Sequence, residues 1–317
     1  MKKVLTTYFI FSLFNVITTF AGEFPADSTL LRSHVTVLCN IRPPRSIQHL
    51  SSLEQSAQYI ESQLRQYSRR IESQSYRVTY GEVRNVIASF GPEKGSRIIV
   101  GAHYDVACDQ FGADDNASGI AGLLELARLL AKDSSKIEKR IDLVAYTLEE
   151  PPFFRTEQMG SFIHAKSLSD QEIKVDLMVC LEMIGYYSNW EDSQTYPLGL
   201  MKLFYPTVGN FISVVSNFNS HFAARDFVEL MKQSCSVSIE RLTAPTSIQG
   251  IDFSDHLNYW HFGYKAFMIT DTAFLRNKNY HQKTDIPETL NFLSMVEVVN
   301  GVYHAITNYR GSSKKFK

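Results

Sequence analysis

Short apolar runs alternate with longer amphipathic segments along most of this chain. Apolar or aromatic residues recur at three- and four-residue steps over residues 51–67, which predicts a helix that packs one face on the protein. Helices are also predicted over residues 117–130 and 220–233, and from about Pro287 to Asn308. Apolar runs predict strands over residues 76–80, 83–90, 97–102, 141–147, 175–181, 211–216 and 266–269. Gly81 separates the first two, which therefore read as a hairpin-like pair at one side of a sheet.

Strand and helix alternate without a long linker rich in glycine, serine or proline. At 317 residues and 44% hydrophobic content, the chain can bury a large core. This order favours an α/β fold whose sheet is covered on both faces. We therefore predict a single α/β domain over residues 22–317, with a mixed, mainly parallel central sheet flanked by helices on both faces.

Charge and the N-terminus narrow the classes of function. Lysine and arginine number 32 against 33 aspartates and glutamates, and this balance argues against nucleic acid as a partner. Lys2 and Lys3 precede an apolar stretch that ends near Ala21, which predicts a cleaved secretory signal over residues 1–21 and a secreted or periplasmic protein. The alternative is a retained anchor helix that would hold the protein at a membrane.

Four cysteines would then lie in an oxidising compartment. Three full pairings are possible, and the sequence selects none of them. No cysteine spacing indicates a thiolate zinc site, so buried or disulfide-bonded cysteines are expected. They are Cys39, Cys108, Cys180 and Cys235.

Chemistry-bearing side chains follow the predicted strand over residues 97–102. His103 and Asp105 come directly after it, and Asp115 lies in the loop that leads into the next helix. In an α/β sheet, ligands bind at the carboxyl ends of the strands. This loop is therefore the first candidate for a functional site.

Other strand ends carry similar side chains. Glu149 and Glu150 follow one strand, Glu182 follows another, and His281 lies in the long loop after the last strand. Two imidazoles with several carboxylates suit a divalent metal such as zinc, whereas oxygen ligands alone would favour magnesium or calcium. The carboxylates exceed what one tetrahedral ion needs, so two ions with one bridging carboxylate are expected if the strand ends converge.

These residues, in this order, resemble the co-catalytic di-zinc aminopeptidases typified by bacterial leucyl aminopeptidase. The resemblance covers roughly residues 84–293 and includes the run Gly-Ala-Asp-Asp-Asn-Ala-Ser-Gly at 112–119 and the sequence LEMIG around Glu182. It implies that Asp115 bridges two zinc ions. It further implies that His103 and Glu182 complete one zinc site, and that Glu150 and His281 complete the other.

The same resemblance implies roles for two further carboxylates. Glu149 would be the general base that takes a proton from water and hands it to the leaving amine. Asp105 would accept a hydrogen bond from the second imidazole nitrogen of His103. The implied activity is release of N-terminal residues from peptides with a free N-terminus, on the fold of the zinc aminopeptidases.

The chain departs from the simplest family pattern at two places. Position 182 is glutamate where several members have aspartate, and residues 151–159 form an extra aromatic and charged loop beside the glutamate pair. We expect this loop to shape the substrate pocket. Asp114 is expected to stabilise the loop rather than to bind metal.

Two other classes of function stay open on the sequence. The chain also resembles the glutaminyl cyclases, which have the same fold with one zinc ion and form pyroglutamate from N-terminal glutamine. A binding module that keeps the fold without catalysis is the second alternative. The neighbours Ser254, Asp255 and His256 are not a serine-protease triad, because triad members must converge from separate places, and they are expected to be structural or at the pocket rim.

Aromatic side chains near the site have two open interpretations. Tyr280, Tyr186 and Tyr187 are candidates to hydrogen-bond a developing oxyanion, and core packing is the alternative for each.

Overall fold

The strands form one sheet across the described molecule. The computed structural model describes residues 25–311, and the predicted signal segment at 1–21 lies outside them. Within that range the sheet has eight strands in the order β1-β2-β4-β3-β5-β8-β6-β7. Their bounds are β1 Ile71–Val78, β2 Gly81–Phe90, β3 Arg97–His103, β4 Arg140–Tyr146, β5 Val175–Leu181, β6 Phe211–Ser216, β7 Ser238–Thr243 and β8 Ala266–Thr270.

The centre of the sheet is parallel and its sides are mixed. β4, β3, β5 and β8 run parallel to one another, and β6 runs parallel to β7. The antiparallel pairs are β1 with β2, β2 with β4, and β6 with β8. The predicted mixed, mainly parallel sheet with a hairpin at one side is therefore confirmed. The four central strands place their carboxyl ends at one edge.

Helices cover both faces, as predicted. Along β5, Leu177 and Val179 face one apolar core while Met178 and Cys180 face the other, so the strand is buried on both sides. Residues of α1, α2, α3, α5 and α7 contribute to the first core, and residues of α4 and α6 to the second. The helices are α1 Ser28–Cys39, α2 Leu50–Leu64, α3 Gly119–Lys132, α4 Gly160–Asp170, α5 His221–Met231, α6 His256–His261 and α7 Phe292–Asn308.

Several elements differ from the sequence prediction. The helix predicted from Pro287 is two elements: a short turn, Pro287–Thr289, and then α7, which begins at Phe292 after the Asn291 side chain caps it by accepting from the Ser294 amide. Helices α1, α4 and α6 and strand β7 were not predicted. α4 buries small and polar residues, including Ser161 and His164, so no apolar stripe marks it. β7 is a half-exposed edge strand.

The structure bears on the cysteines and on a membrane-spanning helix. All four cysteines lie within the described residues, and none forms a disulfide. In residues 25–311 there is no helix with the length and apolar character needed to cross a bilayer.

Candidate metal centre

Neighbouring strand ends deliver four of the predicted site residues. His103 is the last residue of β3, and Glu182 directly follows β5, its parallel neighbour. Glu149 and Glu150 lie three and four residues beyond the end of β4, which pairs with β3 on the other side. All four side chains are buried. The convergence expected from parallel strand order is thus observed.

Asp115 lies in an irregular turn, Ala113–Ser118, between β3 and α3, in which its backbone is not helical. The carboxylate of Asp285 holds this turn by accepting hydrogen bonds from the amides of Asp114 and Asp115 at 2.9 and 3.1 Å. The Asn116 side chain donates to the carbonyl of Leu181 at 2.8 Å, which ties the turn to the end of β5. The Asp115 carboxylate is thereby fixed beside His103.

The nitrogen and oxygen donors form two groups that share Asp115. In the first, which we call the inner group, His103 Nε2 lies 3.5 Å from Asp115 Oδ1 and 3.3 Å from Glu182 Oε2. In the second, the outer group, His281 Nε2 lies 3.2 Å from Asp115 Oδ2 and 3.3 Å from Glu150 Oε2. Within each group one ligand atom per residue lies within 4.8 Å of the others.

Each of the two donor groups contains buried polar atoms without a partner. His103 Nε2, Asp115 Oδ2 and His281 Nε2 are buried and have no hydrogen-bond partner among the described residues. Burying such atoms without a partner costs roughly 1–3 kcal/mol each. Imidazole nitrogen with carboxylate oxygen is a donor set that suits zinc. The residues therefore fit a metal ion in each group.

Burial and the neighbouring charges shift the pKa values of the residues in the centre. Burial lowers the pKa of His103, but Glu182 and Glu149 outweigh it, so the pKa lies well above the ordinary value. Burial raises the pKa of Asp115, but His103 and His281 reverse this and lower it. Burial and the charge of Asp115 raise the pKa of Glu150 to about 8, although His281 opposes them. Without a cation, burial and the neighbouring carboxylate therefore favour the protonated form of Glu150.

Asp105 contacts both the inner group and the glutamate pair. His103 Nδ1 lies 3.2 Å from the Asp105 backbone oxygen and 3.5 Å from its Oδ1. Asp105 thus stands at the predicted nitrogen, with the backbone oxygen as the nearer acceptor. Its carboxylate also accepts hydrogen bonds from the amides of Glu149 and Glu150 at 3.1 and 3.0 Å. Asp105 therefore orients the segment that carries both glutamates.

Glu149 lies beside the donor groups without joining either. Its Oε2 is 3.9 Å from His103 Nε2. Burial raises its pKa well above the ordinary value; the charge of His103 opposes this, while the carboxylates of Glu150 and Glu182 add to it. A carboxyl group that lies beside the donor groups without joining them is free to exchange a proton with a neighbouring molecule.

Two residues with contacts to the site were not singled out as partners of the ligands from sequence. Ser254 Oγ donates to Glu182 Oε2 at 2.6 Å, and Asp285 holds the Asp115 turn. Both lie far along the chain from the residues they contact, so no local pattern marks them. Ser254, Asp255 and His256 form no triad, because His256 Nε2 faces the Ile251 carbonyl at 2.8 Å.

Asp114 has the loop contacts expected of it. Its carboxylate accepts hydrogen bonds from the Gly185 amide at 2.9 Å and from Asn277 Nδ2 at 2.7 Å. It belongs to neither donor group.

Aromatic residues frame the centre. The ring of Tyr280 stacks on His281, with ring centroids 3.9 Å apart, and Tyr280 also lines a cavity next to Glu182. Tyr187 instead donates to the carbonyl of Ile184 at 3.2 Å. In the loop 151–159, Phe154 contacts Phe253, which lines the same cavity, with centroids 5.9 Å apart. The loop thus reaches the cavity through Phe253.

The comparisons with known proteins agree with this fold. Residues 85–306 match the model of peptidase family M28, and the chain belongs to this family. It is 45% identical over 291 residues to the uncharacterized protein YfbL of Escherichia coli (strain K12), a match that covers 89% of this chain and 88% of that protein.

Solved structures share the fold at lower sequence identity. The LapA aminopeptidase of Legionella pneumophila superposes with a TM-score of 0.71 at 20% identity, covering 89% of this chain and 72% of that one. The glutaminyl cyclase of Bacteroides thetaiotaomicron gives a TM-score of 0.69 at 18% identity, covering 90% of this chain and 99% of that one. The fold is therefore that of the M28 aminopeptidases and of glutaminyl cyclases.

Proposed function

We propose that this protein is a secreted or periplasmic aminopeptidase that removes N-terminal residues from peptides with two zinc ions. The observation that carries the proposal is the shared carboxylate of Asp115. One of its oxygens faces His103 and Glu182, and the other faces His281 and Glu150. A carboxylate placed between two complete donor groups is the arrangement that a two-ion site requires.

Each residue then has a defined role. Asp115 would hold both ions, the inner group would hold one of them and the outer group would hold the other. Bound zinc would supply Lewis acidity for a peptide carbonyl and for a neighbouring water. Glu149 accepts the proton of the attacking water and returns it to the leaving amine. Asp105 orients Glu149 through its backbone amide.

The comparisons support the hydrolytic part of the proposal. The family is a peptidase family, and the LapA structure is described as an aminopeptidase. Export rests on the apolar stretch at residues 1–21.

Pyroglutamate formation is the second candidate, because glutaminyl cyclases share the fold. The glutaminyl cyclase structure is covered over 99% of its length, and a structure described as a leucine aminopeptidase precursor is covered over 100%. The extent of the chain therefore does not separate the two activities. The two complete donor groups favour hydrolysis, because a glutaminyl cyclase of this fold needs only one zinc ion.

Mass spectrometry of short peptides tests the proposal. The zinc-loaded protein is incubated with peptides that have free or acetylated N-termini, including N-terminal glutamine. We expect stepwise loss of whole residues from the free termini only. Loss of ammonia confined to glutamine peptides would show a cyclase instead, and no change at all would favour a non-catalytic module.

A glutamine variant separates metal binding from proton transfer. Glu149→Gln should lower kcat by about 10²- to 10⁴-fold, the usual contribution of a general base, while the zinc content per chain stays at the wild-type value. The matched control is Glu93→Gln at an exposed loop position, which should leave both values unchanged. Full activity of Glu149→Gln would reject the assigned base.

A further inference from the structure

A cavity adjoins the inner group on the face of the sheet that carries α4 and α6. It encloses about 800 Å³, including its open mouth, and Glu182 and Tyr280 form its wall on the side of the metal centre. β8, β6 and β7 provide its floor. The floor residues are Thr270, Ser213, Glu240, Met268, Val215 and Leu242.

The strand register shows how this floor runs away from the centre. Leu181 pairs with Ile269, so Glu182 lies opposite Thr270, and Ser213 lies opposite Thr270 in turn. Glu240 lies opposite Ser213 on the edge strand. These residues form one row across three strand spacings, about 14 Å at ~4.8 Å each. A carboxylate therefore stands at the far end of the row that starts at the centre.

The second row of the floor is apolar. Met268 pairs with Val215, and Val215 pairs with Leu242, so these side chains lie beside the first row on the same face. The cavity can therefore cover an aliphatic chain along the whole distance. A longer side chain entering from the centre would therefore extend further towards β7 than a short one.

Glu240 supplies a negative charge that no described neighbour offsets in the cavity. No lysine, arginine or histidine is among the described residues that line it. The adjacent Arg241 instead contacts His221, at 3.1 Å from Nη1 to Nδ1. Arg276 lies behind the wall, where it donates to Gln194 Oε1 at 2.8 Å and to the Phe211 carbonyl at 2.8 Å.

Two tyrosines line the cavity together with this carboxylate. Tyr196 and Tyr205 have ring centroids 5.9 Å apart. Burial raises the pKa of Tyr196 to about 12, and the negative charge of Glu240 adds to this. Aromatic faces next to a carboxylate favour a cation over a neutral or negative group.

We propose that the cavity receives the side chain of the substrate's N-terminal residue and that Glu240 selects lysine and arginine there. The inference rests on the proposed aminopeptidase function and names its substrate class. The aliphatic stem of either residue packs on the row of Met268, Val215 and Leu242, and its charged end reaches Glu240. Glu240 is thus a specificity-determining residue.

Matched tripeptides test the selection. The zinc-loaded protein is given peptides of the form X-Ala-Ala, where X is lysine, arginine, norleucine, leucine or glutamate. Norleucine has the aliphatic stem without the charge. We expect kcat/KM for lysine and arginine to exceed that for norleucine by about 10- to 100-fold, the usual range for a charge-assisted contact.

Variants then assign the effect to one carboxylate. Glu240→Gln should reduce the preference for lysine and arginine over norleucine to near one, and Glu240→Lys should favour glutamate. The control is Glu72→Gln, a glutamate on the opposite edge strand, which should retain the wild-type preference. Calorimetric binding of L-argininamide and L-norleucinamide to the wild type and Glu240→Gln gives a readout independent of turnover.

The outcomes distinguish this inference from the proposed function. If norleucine peptides are cleaved but lysine and arginine are not favoured, or if Glu240→Gln keeps the preference, the selection by Glu240 is wrong and the aminopeptidase stands. If no tripeptide is cleaved, the proposed function fails and the selection fails with it.

Discussion

The inner and outer groups present the same donors in different surroundings. Each has one imidazole nitrogen between Asp115 and a glutamate, at 3.3 to 3.5 Å in the inner group and 3.2 to 3.3 Å in the outer one. Yet the side chain of His103 is 1% exposed at the end of a central strand, whereas that of His281 is 32% exposed. Similar donor geometry therefore does not imply similar rigidity.

The supports of the two groups explain this contrast. Asp105 and Ser254 contact the inner group from buried positions. His281 instead lies in a loop with a left-handed backbone, φ 56°, and is held by the ring of Tyr280. We infer that the inner group is preorganised by the sheet, while the outer group depends on a loop facing solvent.

The largest expected effect comes from removing what the groups share. Asp115→Ala takes a ligand from both groups, so zinc per chain should fall below one and activity should fall about a thousandfold or more, as several kcal/mol of transition-state stabilisation are lost. Metal analysis of the dialysed protein and peptide cleavage measure this.

The control lies in the same loop. Asp109→Ala removes an exposed carboxylate that pairs with the exposed Lys283, at 2.7 Å. It should retain both zinc and activity. Wild-type zinc content in Asp115→Ala would contradict the bridging role.

In the metal-free protein, removal of the histidine should destabilise the inner group more than the outer group. His103 is buried against Glu182 and Asp115, so His103→Ala leaves their charges uncompensated and should lower the free energy of unfolding by about 3–5 kcal/mol at pH 7. His281→Ala should cost less, about 1–3 kcal/mol, because its contact atoms are buried but the rest of its side chain is 32% exposed. Urea unfolding in the presence of a chelator measures both. Equal losses would refute the contrast.

The sequence predicts the residues placed by the central strands better than those placed by loops. The strands over residues 175–181 and 211–216 were predicted with the bounds that the structure shows, because buried strands read as continuous apolar runs. The residues at their ends could be predicted to converge, because parallel order fixes the edge they share. What a strand end delivers is thus visible in the sequence.

Contacts between distant segments were not visible. Asp285 meets Asp115 across 170 residues and Ser254 meets Glu182 across 72, with no periodic pattern to link them. Strand β7 was missed because an edge strand with half-exposed polar residues lacks the apolar run. Glu240 could therefore not be placed in a cavity from the sequence.

The last prediction concerns His164, a buried imidazole outside both donor groups. His164 is as buried as His103, but its Nδ1 faces the Tyr259 hydroxyl at 2.6 Å, and burial lowers its pKa to about 4. Because the folded pKa lies below the unfolded value of 6.5, its contribution is complete above pH 6.5 and is lost as pH falls towards 4. From pH 7 to pH 5 the loss of unfolding free energy is about 2 kcal/mol.

Urea unfolding of the metal-free protein at both pH values measures this loss. The free energy of unfolding should fall less between pH 7 and pH 5 for His164→Gln than for the wild type, by about that amount. The same difference between the two pH values in both proteins would show that burial of this imidazole does not set the slope. Other titrating groups, such as Asp285 with its pKa raised to about 8, act equally in both proteins and cancel from the comparison.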